Sequence, residues 1–157
     1  MSRPPFVISS AEVKEEEGHY DSPFDGEKLS FGRDLGKAVG SVTVGLVVER
    51  IPHGRRTSFT HAHSAEEEIV YVVSGNCSVR IVEPNQRPRE IDIAAGDVIA
   101  FPANTGIAHT FVNHGTEDCV LICCGERKPG VDRVFYPEDR EFDEYVRANR
   151  PQRHWSR

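Results

Sequence analysis

GRRTSFTHAHSAEEEIVYVVSG, residues 54–75, decides how this chain is read. Its second half, Ile69 to Gly75, is a run of β-branched and aromatic residues closed by a glycine, the composition of a strand followed by a turn. Its first half, Thr57 to His63, reads as a shorter strand ending at the polar stretch Ser64 to Glu67. Side chains alternate faces along a strand, so His61 and His63 leave the same face and can converge on one point. Glu68 follows after a gap long enough to turn the chain and return a carboxylate from the next strand. It is chosen over Glu66 and Glu67 because it shares an inward face with Val70 and Val72. Three candidate metal ligands thus come from one hairpin.

The strand pattern continues outward from this hairpin, from about Ser41 to Gly125, without a convincing helical period. Ser41 to Ile51 is SVTVGLVVERI, closed by Pro52 and Gly54. After Gly75 come CSVRIVEP, a polar turn, REIDIAAGD, VIAFP, IAHTFVN, the turn HGTED and CVLICCGE. About seven or eight short strands separated by turn residues predict an all-β sandwich or barrel. Ile69 to Val73 is apolar at every position, which predicts cover on both of its faces, from a second layer or from a partner subunit.

The flanks differ. Residues 1–40 carry EVKEEEG with several Gly, Pro and Asp, and predict an irregular arm with one short strand at Phe6 to Ser9. Residues 41–126 are the predicted barrel, and residues 127–157 a second arm. Within that arm PEDREFDEYVRANR starts on Pro137 and spaces Phe142, Tyr145 and Val146 as an amphipathic helix does.

At 157 residues the chain has the size of one domain with a real core. Its 19 lysines and arginines against 25 acidic residues give a formal net charge of −6, so it has no general basic field to hold a phosphate backbone, and nucleic acid is not an expected partner. No stretch resembles a secretory signal or an apolar run of about 18 residues, which predicts a cytoplasmic protein without membrane association. Cys77, Cys119, Cys123 and Cys124 show no CxxC spacing and read as buried free thiols.

A fourth ligand lies more than forty residues downstream. His109 sits in IAHTFVN behind a turn built from Pro102 and Gly106, where a barrel would bring it back to the hairpin. Imidazoles with one carboxylate suit iron(II), manganese, nickel, zinc or copper better than calcium or magnesium. With no cysteine among them, an open site is expected rather than a structural zinc site.

These residues carry a family resemblance. Gly54 to Gly75, read as G-x6-H-x-H-x4-E-x6-G, resembles the first cupin motif with one extra residue before the first histidine. Gly96 to Asn113, GDVIAFPANTGIAHTFVN, is similar to the second, although Asn104 stands where a glycine is usual and two more residues precede Gly106. The resemblance implies a double-stranded β-helix, or jelly-roll, barrel. It also implies one divalent transition metal ion (Fe(II), Mn, Ni or Zn) held inside by His61, His63, Glu68 and His109. Cupin barrels commonly pair, which together with Ile69 to Val73 predicts a homodimer.

Around the site, strand parity puts Phe59 inward with the first two histidines and Phe111 inward with His109, as candidates to line an apolar pocket. Arg56, beside Arg55, is a candidate for an anionic substrate group at the barrel mouth. His19, His53, His114 and His154 read as solvated. The expected function is that of a metal-dependent enzyme on a small organic substrate, with an oxygenase or related oxidoreductase first. An isomerase, lyase or cyclase that moves a proton, or a ligand-binding protein without turnover, stands as the alternative.

Overall fold

The β-branched runs become strands. In the computed structural model, which describes residues 3–157, they are joined by three short strands from the flanks. In chain order the strands and helices are β1 (Glu16–Glu17), β2 (Phe31–Asp34), the one-turn helix α1 (Leu35–Ala38), β3 (Val44–Ile51) and β4 (Ala62–His63). Then follow β5 (Glu68–Ser74), β6 (Asn76–Val82), β7 (Arg89–Ala94), β8 (Val98–Phe101), β9 (Ala108–Val112), β10 (Cys119–Glu126), β11 (Val134–Phe135) and helix α2 (Arg140–Asn149). A sheet ordered β1-β2-β3-β10-β5-β8 faces a sheet ordered β7-β6-β9, and β4 pairs with β11. These pairings are antiparallel and form a jelly-roll barrel.

Alternation decides which side chains fill the barrel. Ile51, Val70, Val72 and Leu121 point in from the large sheet and meet Cys77, Val79, Ile81, Ile93 and Phe111 from the small one. Glu49 has the parity of Ile51, Glu68 that of Val70, and Cys123 that of Leu121, so these three polar side chains share the interior with the core. On the opposite face of β5, Ile69, Tyr71 and Val73 remain 45%, 44% and 43% exposed. Nothing else among the described residues supplies the cover expected there.

The flanks depart from expectation in three ways. Phe6 to Ser9 is not a strand, since Val7 N–H closes a turn onto the Pro4 carbonyl. The first arm instead adds β1 and β2 to the large sheet, so that sheet begins ahead of Ser41. Its acidic run reaches the barrel, where Glu15 pairs with Arg50 at 2.7 Å and Glu17 with Arg55 at 2.5 Å. The second arm comes back to the barrel as β11 against β4. Helix α2 then docks as its spacing predicts, with Phe142 and Val146 buried against Phe59 and flanked by Tyr20, Phe24, Tyr136 and Tyr145.

Two smaller readings change as well. All four cysteines are free, but Cys124 is exposed because it lies on the outward parity of β10. His154 is buried rather than solvated, with its Nε2 2.9 Å from Asp143.

Candidate metal centre

His61 and His109 are brought together by the backbone before their side chains meet. Each donates its N–H to the other's carbonyl, at 3.1 and 2.8 Å, which closes the long sequence gap between the two motifs. His63 stands one residue beyond Ala62 in β4, held by β11 on its other side. Glu68 opens β5 opposite Gly125 of β10 and Phe101 of β8. A Cβ at position 125 would stand 3.2 Å from Glu68 Cγ, so the glycine leaves room for the carboxylate.

The four side chains converge. Ligand atoms of His61, His63 and Glu68 lie within 4.8 Å of one another. Glu68 Oε2 is 3.0 Å from His109 Nε2 and 3.8 Å from His63 Nε2. The outer nitrogens fix which ring atom faces in: His61 Nδ1 lies 2.8 Å from the Phe59 carbonyl and His63 Nδ1 2.6 Å from Asp132. With those N–H groups donated outward, the Nε2 lone pairs point inward. The His109 ring stacks on Phe101 with centroids 3.5 Å apart and 5° between planes, which sets its orientation without a hydrogen bond.

The electrostatics match this arrangement. Burial drives the His61 imidazole down to about 4, helped by the neighbouring His109 and His63, so it is neutral and able to ligate at neutral pH. Burial opposes ionisation of Glu68, yet the adjacent His109, His61 and His63 hold its carboxyl down to about 2. Glu68 Oε2 is nevertheless buried without a hydrogen-bond partner, as is His109 Nδ1. An orphaned carboxylate oxygen facing three imidazoles is a donor set that fits a divalent cation.

A second acidic cluster, His63, Glu66 and Asp132, is satisfied from within. Asp132 accepts the Ala65 and Glu66 N–H groups as well as the His63 proton, and Glu66 accepts the Lys128 N–H. It acts as a clamp on the loop between His63 and Glu68, not as an alternative metal site.

The three expected pocket residues part company. Phe111 is buried in the core, its ring 6.1 Å from His109 and 6.2 Å from Phe101. Phe59 turns away from the ligands and stacks on Tyr20 at 4.1 Å and against Phe142 at 5.0 Å. The parity expectation fails there because residues 57–60 bend: Thr110 Oγ1 takes the Ser58 N–H and donates to the Ser58 carbonyl, in place of a strand ladder. Arg56 is engaged by both oxygens of Glu27 at 2.8 Å and by Asp139 at 3.5 Å, so it ties the arm and the start of α2 to the barrel. Asp132, Phe101 and Glu49 are the additions the structure makes. Only Glu49 left a signal, as a charge on the strand face otherwise carried by Val47 and Ile51.

Comparison with known proteins agrees with this geometry. The family model of the cupin domain matches residues 47–125, which holds all four converging side chains. The chain belongs to the cupin family. This cupin shares 30% identity with a crystal structure from Acidithiobacillus ferrooxidans that bears the provisional name sugar phosphate isomerase. The match covers 86% of this chain and 83% of that one, with a TM-score of 0.72. A second cupin structure, a sugar phosphate isomerase from Silicibacter pomeroyi, matches at 23% identity over 84% and 82% with a TM-score of 0.71. A germin-like protein of rice (Oryza sativa subsp. japonica) is 32% identical over 72 residues, 45% of this chain; the cupin spans about a third of that relative's length. No helix among the described residues is long and apolar enough to cross a membrane.

Proposed function

We propose that this cupin is a metal-dependent enzyme that shifts a proton beside a carbonyl group of a small hydroxylated substrate, as an aldose–ketose isomerase does. His61, His63, Glu68 and His109 hold one divalent transition metal ion. Such an ion supplies Lewis acidity to a chelated hydroxy-carbonyl group. The observation that carries the reading is the pairing of this donor set with a second, uncoordinated carboxyl, Glu49, on the same interior face. A proton shift needs such a group and a simple binding site does not. The name of the 30% identical neighbour supports the same chemistry.

Incubating protein loaded with zinc, manganese or iron(II) with a panel of sugar phosphates should give isomerisation without oxygen uptake. A His61→Ala variant should retain about a tenth or less of the bound metal and lose turnover with it. Metal-independent turnover would refute the proposal. The donor set equally suits a redox ion, which favours the oxygenase as second reading. Oxygen uptake confined to the iron(II)-loaded protein, with no isomerisation, would establish it instead.

The protein works as a homodimer in this reading. Ile69, Tyr71 and Val73 form an uncharged row, continued by Leu46 on β3 and Val98 on β8, and an uncharged apolar face can pair with its own copy about a two-fold axis. Light scattering should give twice the chain mass for the wild type and a single-chain mass for Tyr71→Lys. A monomeric wild type at micromolar concentration would contradict this.

A further inference from the structure

An open cleft of about 760 Å³ lies outside the metal ligands, between the first arm and β3. Glu17 and His19 of the arm form one wall, Ser30 and Thr57 another, and Val47 and Glu49 reach it from the sheet. Both have the strand parity of the fully buried Ile51, and Glu49 is the charged one of the two. Its carboxylate accepts the Ser30 hydroxyl proton, and the Cys123 thiol stands 3.7 Å from its other oxygen. No lysine, arginine or histidine among the described residues pairs with it, unlike Glu15, Glu17 and Glu27 of the arm. Cys123 links Glu49 to the metal centre, because its partner across β5 is Val70, two residues along the same face from Glu68.

A partly buried carboxyl with only neutral donors is costly in a purely structural role, where an amide would serve as well. Burial, and after it the charge on Glu68, push the Glu49 carboxyl up from its ordinary value.

We infer that Glu49 is the acid–base catalytic residue of this centre and that the cleft walled by residues 13–19 is where the substrate enters. The assignment rests on the isomerase reading above. Glu49 carboxylate takes the proton from the carbon beside the carbonyl: that C–H bond breaks, an O–H bond forms on Glu49, and the electron pair moves onto the carbonyl oxygen as an enediolate. The hydroxyl proton of that carbon passes to the former carbonyl oxygen within the enediolate. Glu49 then returns its proton to the former carbonyl carbon as the electron pair on the second oxygen forms the new C=O bond, which restores the carboxylate and completes the isomerisation with no oxidant or reductant consumed.

The full chain loaded with cobalt(II) provides two readouts, compared among wild type, Glu49→Gln and Glu49→Ala. The first is the affinity for glycolohydroxamate, a chelating mimic of an enediolate, read from the cobalt absorption bands. The second is proton–deuterium exchange into fructose 6-phosphate in heavy water, read by NMR. Cobalt affinity and thermal midpoint should stay within about twofold and a few degrees of wild type in both variants. Glu49→Ala should bind the hydroxamate about ten- to a hundredfold more weakly, having lost a hydrogen bond to a charged ligand. Glu49→Gln should keep most of that affinity, because an amide still donates, yet lose exchange by roughly a hundredfold or more. Unchanged hydroxamate affinity in Glu49→Ala, or wild-type exchange in Glu49→Gln, would overturn the assignment. Absence of exchange in the wild type would instead remove the isomerase reading, while the hydroxamate comparison still decides whether Glu49 meets a chelated ligand.

Discussion

Replacing Asp132 with alanine is expected to weaken divalent-metal binding by about ten- to a hundredfold, although its carboxylate lies outside the four converging donors. The effect has two sources. The carboxylate takes the His63 Nδ1 proton at 2.6 Å and so keeps the Nε2 lone pair aimed inward. It also accepts the Ala65 N–H at 2.8 Å and the Glu66 N–H at 3.2 Å, which holds the loop that separates His63 from Glu68. Alanine releases the ring tautomer and the loop together, so two of the four converging side chains, His63 and Glu68, lose their preset position. Asparagine retains an acceptor and should fall between alanine and wild type. Competition with a chromophoric chelator measures the change, and a circular dichroism melt of the metal-free proteins separates it from unfolding. An alanine variant that binds zinc within twofold of wild type would show that the clamp does not act on the metal.

Gly75→Ala should be among the most destabilising single changes outside the core, by roughly 2 to 5 kcal/mol. Its φ of +75° costs an L-residue about 1 to 2 kcal/mol. The added methyl would also overlap the Asp118 carbonyl oxygen and stand 3.1 Å from Cys119 Cα, and relieving that overlap means moving backbone, at about 1 to 3 kcal/mol more. Gly96 is the internal control: it too has positive φ, at +98°, but a Cβ there meets nothing within 4 Å. Gly96→Ala should therefore cost about 1 to 2 kcal/mol from the backbone alone. Urea midpoints of the two variants read the difference, and equal shifts would show that the approach of the β5–β6 turn to Asp118 carries no weight. Gly75 ends the first histidine motif, so this spacing serves the turn that returns the chain to the small sheet, not the chemistry.

Much of the barrel was legible in the sequence because strand alternation is a local property. The runs that became β3, β5, β6, β7, β8, β9 and β10 each carry β-branched residues between turn residues, and each formed near its expected limits. The Thr57 to His63 strand did not, since hydroxyl side chains at Thr57 and Thr110 compete with the ladder and leave a strand only at Ala62–His63, with His61 in an isolated bridge to His109. That one bend sends Phe59 into the cluster under α2. Arg56 was misplaced for a different reason: an arginine in a turn gives no sign of which carboxylate will reach it, and Glu27 and Asp139 come from opposite ends of the chain.

By itself the sequence determined the all-β class, the face shared by His61 and His63, the place of Glu68 beside them at the start of β5, and the amphipathic helix that docks through Phe142 and Val146. Each follows from the two-residue period of a strand or the 3.6-residue period of a helix, which act within a few residues. Only the tertiary structure decided that Asp132 steadies His63, that Phe101 stacks on His109, that the arm's glutamates occupy Arg50, Arg55 and Arg56, and that Glu49 shares the interior with the ligands. Those contacts depend on sheet order and on where distant segments cross, which no local period encodes.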